Sequence, residues 1–156
     1  MVSAVSTAWA APSADMAVLI GRVQALADRF AARAEAHDRD GSFPFENFED
    51  LAEAGLLSLL VPAALGGAGA GAADIARVLQ MVGKADPSTA LVLSMHYIQH
   101  FVMARSDRWP RGLVRRLARE TLDGVALINA LRVEPELGSP ARGGLPSTIA
   151  RRTATG

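Results

Sequence analysis

Two histidines on one predicted helix are the first residues of this sequence whose type and spacing could support chemistry. His96 and His100 are four residues apart, so on a helix they share a face and could share a metal ion. Tyr97 occupies the position of the Glu in an H-E-x-x-H zinc motif, and His37 lies in a distant charged turn. A pocket or core role is therefore favoured over metal binding, and proton exchange near neutral pH stays open for His96.

A glycine-rich loop precedes another predicted helix. Gly67, Gly69 and Ala72 satisfy the pattern G-x-G-x-x-[GA] of dinucleotide-binding turns. Such turns place their glycines directly at the end of a strand, so that the pyrophosphate meets the helix N-terminus. Here residues 62–65 intervene, and the following helix leads into another helix. The pattern favours a structural loop over a nucleotide site.

Charged residues give weaker signals. Glu134 and Glu136 flank Pro135, and neighbouring loop carboxylates specify no reaction by themselves. No Ser-His-Asp or paired-carboxylate arrangement is recognisable. Four arginines share one face of a predicted helix, which is more typical of a solvated surface than of an anion site; they are Arg111, Arg115, Arg116 and Arg119.

A Gly-Ser turn closes the segment from Leu131 to Ser139, after a predicted strand. Its backbone N–H groups and the Ser139 hydroxyl are of the types that cradle a phosphate or a carbonyl oxygen in a small concavity. Composition by itself favours an ordinary turn. From these residues alone, the sequence predicts a helical domain joined to a β segment, and it assigns no reaction to them.

Five helices are predicted to position these residues. Apolar spacing, prolines at helix starts and glycines at helix ends place them at about 14–36, 44–54, 72–84, 89–104 and 110–122, with Ser88 capping the fourth. The fourth is apolar around much of its circumference, so we expect it to lie centrally. The residues predicted to face inward on the other helices are Leu19, Val23, Leu26, Phe30, Phe45, Phe48, Leu51, Ile75, Val78, Leu79, Val82, Leu113, Leu117 and Leu122.

The remaining segments define the predicted fold class. Residues 56–61 are expected to form a buried connector and 62–71 an irregular loop, whereas 125–131 and 147–153 are predicted strands. The prediction is a mainly α protein, with a helical domain at 14–124 and, at 125–156, the first strands of an incomplete β-barrel domain. Residues 1–13 are expected to be disordered.

Composition limits the classes of partner and compartment. The 156 residues carry 16 basic and 16 acidic side chains, a balance that argues against nucleic-acid binding. The absence of cysteine excludes disulfides and thiolate metal sites. No apolar run is long enough to span a bilayer, so we expect a cytoplasmic protein with no membrane association.

Several segments follow, in order along the chain, the sequence pattern of one enzyme family. Leu51–Leu57, then Val61-Pro62 and Gly66–Gly69, resembles the family passage L-A-x-x-G-L … V-P-x-x-x-G-G-x-G. Ala85–Ala90 resembles the next helix junction, Ala130–Ser139 the passage T-E-P-x-x-G-S-D, and Thr148–Ala150 the following T-x-A strand. On these segments the chain resembles the acyl-CoA dehydrogenase family, and the resemblance covers residues 14–156.

The resemblance implies a longer enzyme of three domains that binds FAD, dehydrogenates an acyl-CoA thioester between its α and β carbons, and forms homo-oligomers. In the family a carboxylate base removes the α proton, the β hydride passes to the flavin, and an electron-transfer partner is possible. Carried over by position, the flavin-lining residues are Ala130, Leu131, Arg132, Val133, Gly138 and Ser139. The implied substrate-binding residues are Ser139, Met95, His96 and Gln99.

Two departures from the family pattern keep other functions open. Val133 stands where the family usually has Thr, and Pro140 where it usually has Asp. No residue here takes the role of the catalytic carboxylate, which the family carries in its C-terminal part, so this chain is expected to be inactive alone. The alternatives are a flavin-dependent monooxygenase of the desulfurisation type on the same scaffold, and a non-catalytic remnant.

Overall fold

A computed structural model of the chain describes residues 14–130, 134, 147–149, 151 and 153. Its helices are α1 Ala14–Asp40, α2 Phe45–Glu53, α3 Ala72–Ala85, α4 Pro87–Ala104 and α5 Arg111–Asp123, with a 3₁₀ turn at Ala63–Leu65. The predicted mainly helical fold is confirmed. The expectation of disorder for residues 1–13 lies outside the described residues.

Helix α1 continues through the charged residues 37–40 and ends just before Gly41. The predicted end at residue 36 was too early, because exposed charges on a helix surface do not interrupt its hydrogen bonds. The chain leaves the helix at Gly41, whose φ of 62° is readily adopted by glycine. The backbone N–H of Ser42 then donates to the carbonyl of His37 at 3.2 Å, as in a helix-terminating Schellman motif.

Helix α2 buries Phe48 and Leu51 completely, as predicted, but Phe45 is 68% exposed. The prediction that Phe45 faces inward was wrong because Phe43 occupies that side of the helix. The Phe43 ring stacks on the Phe48 ring with centroids 5.1 Å apart, and Phe45 contacts only the edge of this pair. Gly55 follows the helix end with a φ of 73°, which confirms its predicted capping role.

Asp86 caps helix α4, and the prediction of Ser88 as the cap was wrong. The Asp86 carboxylate accepts hydrogen bonds from the backbone N–H groups of Ser88 and Thr89, at 2.9 and 3.3 Å. Pro87 takes the first helical position, so the helix begins two residues earlier than predicted. Asp86 is also buried and accepts hydrogen bonds from the Asn47 amide and the Thr89 hydroxyl, which ties α2 to the start of α4.

The core lies where α3 packs between α1 and α4, with α2 against α1. The predicted connector is confirmed, since its apolar side chains are buried among the helices. Leu19 and Leu79 were predicted to be buried and are only half-buried at the edges of this core. The other predicted core residues of α1 and α3 are confirmed: Val23, Leu26, Phe30, Ile75, Val78 and Val82.

Helix α4 is buried along one side only. Its opposite side carries apolar residues that are 65% exposed at Leu91 and 47% exposed at Ile98. The predicted central position is therefore not reached within the described residues, because the described elements that pack on this helix leave the side with Leu91 and Ile98 uncovered.

Helix α5 also presents a different face from the one predicted. It buries Ala118 and Thr121, whereas Leu113 and Leu117 are half-buried and Leu122 is 40% exposed. This face turns inward because the Thr121 hydroxyl contacts His100 on α4. Among the described helices, none has the length and apolarity that crossing a bilayer requires.

Candidate functional site

Helix α4 and the segment at residues 125–130, after α5, meet at His96, which is fully buried. Its Nε2 lies 3.0 Å from the carbonyl oxygen of Leu57, and its Nδ1 accepts a hydrogen bond from the backbone N–H of Ile128 at 3.3 Å. Because that N–H can only donate, Nδ1 must carry the lone pair and Nε2 the proton. The surroundings thus fix one neutral tautomer.

The same surroundings keep the His96 ring neutral. Burial lowers the pKa of His96 below its ordinary value of 6.5, and the hydrogen bond to the Leu57 carbonyl opposes this only in part. A second ring proton would sit on Nδ1 and face the N–H of Ile128, so protonation would break that contact. With both nitrogens engaged, His96 holds two chain segments in place and is not free for proton transfer.

His100 continues this polar layer towards α5. Its Nε2 lies 3.2 Å from the Thr121 hydroxyl oxygen, and its ring meets that of His96 edge to face with centroids 4.6 Å apart. Burial, together with the charge that His96 would carry if protonated, lowers the pKa of His100 to about 4. The two histidines are hydrogen-bonded core residues, one of the roles predicted for them. Within the described residues no cluster of His, Asp and Glu suited to a metal ion occurs.

Tyr97 anchors the buried connector beside His96. Its hydroxyl donates to the carbonyl of Leu56 at 2.7 Å, and burial raises the pKa of Tyr97. Two successive residues of α4 therefore hold two successive carbonyls of the connector, at Leu56 and Leu57. This arrangement fixes α4 against the connector, and the bond from Ile128 to His96 adds the segment after α5.

The segment at residues 125–130 lies beside α4 and belongs to neither a helix nor a strand. The predicted strand was wrong for these residues, because their backbone groups bond to side chains: the N–H of Ile128 to His96, and the N–H of Ala130 to Oδ1 of Asn129 at 2.7 Å. Leu131, the last residue of that prediction, lies outside the described part. The second predicted strand, at 147–153, is described only at residues 147–149, 151 and 153. None of these described residues is in a strand.

A groove of about 380 Å³ lies between this segment and α4. Apolar side chains dominate its walls, and Asn129 is the polar lining residue; the set is Leu91, Val92, Met95, Leu127, Ile128 and Asn129. Of the predicted substrate-binding residues, Met95 lines this groove, whereas His96 lies behind it with no exposed surface. Gln99 is on the same face of α4 as Met95, one turn further along, and is 4% exposed. We call this concavity the α4 groove.

The predicted flavin-lining residues are only partly within the described chain. Ala130 is half-buried and continues directly from the α4 groove. Leu131, Arg132, Val133, Gly138 and Ser139 lie outside the described residues, so their role stays a prediction.

Glu134 holds two distant parts of the chain together, which sequence reasoning missed. Its carboxylate accepts hydrogen bonds from the backbone N–H and hydroxyl groups of both Ser147 and Thr148, with backbone distances of 2.9 and 2.8 Å. These bonds, that of the Thr148 hydroxyl foremost, lower the pKa of the exposed Glu134 carboxyl to about 2. A carboxylate thirteen residues from its partners gives no local sequence signal.

The glycine-rich loop uses its N–H groups internally. The N–H groups of Gly67 and Gly69 donate to the carbonyls of Pro62 and Val61, at 3.2 and 2.9 Å. A Cβ at Gly67 would come within 2.2 Å of the Val61 carbonyl oxygen, so glycine is needed for close packing. The loop is therefore structural, as predicted, although residues 63–65 form a 3₁₀ turn that the sequence did not indicate.

The arginines of α5 are exposed, as predicted for a solvated face. Arg116 pairs with Glu120 at 3.5 Å. Arg111 and Arg115 instead line a second concavity, together with Arg105 and Trp109 from the turn before the helix. Sequence reasoning missed the last two, because the turn brings them to α5 only in the folded chain.

Comparison with known proteins agrees with this helical architecture. The model of the family "Acyl-CoA dehydrogenase, N-terminal domain" matches residues 19–105. The putative acyl-CoA dehydrogenase YdbM of Bacillus subtilis is 34% identical over 131 residues, which cover 84% of this chain and 33% of that protein. The L-evernosamine nitrososynthase of a Micromonospora species is 35% identical over 128 residues, covering 74% and 30%.

A solved structure has the same helical fold. KijD3, in complex with FMN and an amino-keto sugar linked to dTDP, superimposes with a TM-score of 0.67 and 36% identity, over 76% of this chain and 30% of that one. The chain thus spans about a third of the length of the curated relatives named above. On the family match, the chain belongs to the acyl-CoA dehydrogenase family, as an N-terminal helical domain.

Proposed function

We propose that this chain is the N-terminal part of a longer FAD-dependent oxidoreductase that dehydrogenates an acyl thioester between its α and β carbons. The observation that carries the proposal is the bond between His96 and Ile128. It holds Ile128 against α4, where residues 127–129 form one wall of the α4 groove. The residues that follow in sequence match the flavin-contacting passage of the family.

The lining of the α4 groove fits such a ligand. Its apolar side chains suit an acyl chain or a flat ring, and Asn129 supplies one polar contact. In the proposed enzyme Met95 contacts the acyl chain, and Gln99 lies further along the same face of α4. A bound flavin supplies the acceptor for the hydride.

Residues 130–139 form the flavin wall in this proposal. The residues proposed to line the flavin are Ala130, Leu131, Arg132, Val133, Gly138 and Ser139. The Ser139 hydroxyl is proposed to form one hydrogen bond with the flavin or the thioester. Replacing Ser139 by Ala in the full-length protein is then expected to weaken binding by about 1 kcal/mol, the usual value of one hydrogen bond. His96 acts as a positioning residue, since both of its nitrogens are engaged.

The exposed apolar side of α4 supports the proposal that more protein normally covers this domain. Leu91, Ile98 and Val102 follow one another at helical spacing on that side, and each is at least 39% exposed. Beyond the part that matches this chain, each of the two relatives has further sequence about twice as long as this chain. The catalytic base belongs to that further part, so the chain alone is expected to be inactive.

An oxygen-inserting flavin enzyme is the second candidate. It is supported by the similarity to a nitrososynthase and to KijD3 with FMN, because forming a nitroso group adds oxygen to nitrogen. Val133 and Pro140 depart from the dehydrogenase pattern, which leaves room for this alternative.

One pair of assays on the full-length protein separates the candidates. A dehydrogenase loses its oxidised-flavin absorbance when an acyl-CoA is added without oxygen. An oxygenase shows no such bleaching and forms product only with reduced flavin and oxygen. Activity in neither assay, across CoA thioesters and sugar-nucleotide amines, would support a non-catalytic remnant.

A further inference from the structure

A second concavity, of about 500 Å³, lies at the turn between α4 and α5. Three arginines and a tryptophan contribute to its walls: Arg105 and Trp109 from the turn, and Arg111 and Arg115 from α5. Asp107 is the carboxylate among the lining residues. We call this concavity the arginine cavity. It shares no lining residue with the α4 groove.

The arginine cavity concentrates positive charge in a chain that has no net charge. Asp107 is its one lining carboxylate, and among the described residues no carboxylate lies within 4 Å of the guanidinium groups of Arg105, Arg111 or Arg115. Elsewhere in the fold carboxylates neutralise arginines: Arg33 bonds to Asp50 at 2.6 Å. Like charges around one concavity repel each other, and a bound anion removes that cost.

The start of α5 adds to this preference for an anion. Arg111 is the first residue of the helix, the end at which the helix dipole disfavours a cation. Pro110 provides no side-chain cap, and the first turn contains no acidic residue. The free N–H groups of this turn and the nearby guanidinium therefore both lack a negative partner. A local conflict of this kind is typical of a functional position.

Of two aromatic side chains near these arginines, Trp109 lines the arginine cavity and Phe101 contacts Arg105. The Arg105 guanidinium carbon lies 3.7 Å from the centroid of the Phe101 ring, so this cation is restrained before any ligand arrives. Trp109 is half-buried and lines the same space, where its ring offers a flat contact surface. Asp107 favours a ligand that also carries hydroxyl or amino donors over a bare anion.

We propose that the arginine cavity binds the phosphate groups of a ring-bearing ligand, of the chemical class of a nucleoside diphosphate. The phosphates face Arg111, Arg115 and the first turn of α5, and the ring contacts Trp109. Asp107 accepts a hydrogen bond from a ligand hydroxyl. This inference goes beyond the proposed function, because the arginine cavity is separate from the α4 groove and needs no flavin.

Titration calorimetry of the 156-residue chain tests the proposal, with ADP and inorganic pyrophosphate as probes. ADP is expected to bind, and to bind more tightly than pyrophosphate because its ring contacts Trp109. Each of Arg111→Gln and Arg115→Gln is expected to weaken ADP binding about tenfold, the usual effect of losing one hydrogen bond to a charged group. Trp109→Leu is expected to bring ADP down to the affinity of pyrophosphate.

Arg119→Gln is the matched control, because Arg119 is exposed on the same helix but does not line the arginine cavity. It is expected to leave ADP binding unchanged, and circular dichroism checks that every variant is folded. No ADP binding would overturn the proposal. Equal weakening by Arg119→Gln would also overturn it, since it would indicate a general charge effect, and so would equal affinity for ADP and pyrophosphate in the unaltered chain.

Discussion

The backbone N–H of Ile128 donates a hydrogen bond to Nδ1 of His96, across 32 residues of sequence. The other nitrogen of the same ring is bonded to the carbonyl of Leu57. One buried side chain therefore connects the centre of α4 with both the connector after α2 and the segment after α5. The α4 groove exists because of this connection, since one of its walls is α4 and the other is residues 127–129.

Replacing His96 by Leu keeps an apolar side chain in the core but removes both hydrogen bonds. We expect the free energy of unfolding in urea to fall by about 1–3 kcal/mol, because a buried carbonyl loses its partner. The amide of Ile128 is expected to exchange with solvent faster than in the unaltered chain. His37→Leu, at a histidine near the surface, is the control and should cost less than about 1 kcal/mol. Unchanged exchange at Ile128 would contradict the role assigned to His96.

Acid is expected to destabilise the fold through the same histidines. Their pKa values are lower in the folded chain than the ordinary 6.5, to about 4 for His100, so the unfolded chain binds more protons in this interval. The stabilising contribution is thus fully present above pH 6.5 and is lost as the pH falls towards 4. Urea titrations at several pH values measure the effect, at about 1.4 kcal/mol per pH unit for each proton taken up.

A His100→Gln variant isolates one of the two histidines. It is expected to reduce the slope of the free energy of unfolding against pH between 6.5 and 4, because glutamine takes up no proton when the chain unfolds. An identical slope in the variant would show that other groups, and not this histidine, set the acid sensitivity.

Asp86 and Ser88 offer a direct test of which residue caps α4. Asp86→Ala is expected to cost about 2–4 kcal/mol, because it removes the cap and leaves the buried Asn47 amide and Thr89 hydroxyl without their shared acceptor. Ser88→Ala, at an exposed side chain, is expected to stay within about 0.5 kcal/mol. Thermal or urea unfolding measures both, and the reverse ranking would refute the assignment.

Gly67 is expected to tolerate no side chain. Gly67→Ala places a Cβ against the Val61 carbonyl, and backbone must move, at a cost of about 1–3 kcal/mol. Gly21→Ala is the matched control, because Gly21 is within α1 with open space around it. That variant is expected to raise stability by about 0.5–1 kcal/mol, the helix preference for alanine. Equal effects in urea unfolding would contradict the packing argument.

The sequence by itself determined which segments are helical and much of what they bury. Apolar spacing identified Val23, Leu26 and Phe30 on α1, and glycines marked the ends of α1 and α2, because these signals act within one or two turns of chain. The sequence also predicted the buried connector, because a short apolar run between helices is stabilised by burial in the core.

Only the tertiary structure decided what depends on residues distant in sequence. Phe45 points outward because Phe43 stacks on Phe48. Residues 125–130 are not in a strand, and the N–H groups of Ile128 and Ala130 bond to the side chains of His96 and Asn129. The tautomer of His96 follows from Ile128 and Leu57, and the arginine cavity from a turn that brings Arg105 and Trp109 to α5. Such contacts leave no periodic trace in the sequence, because each is made by residues that the fold alone brings together.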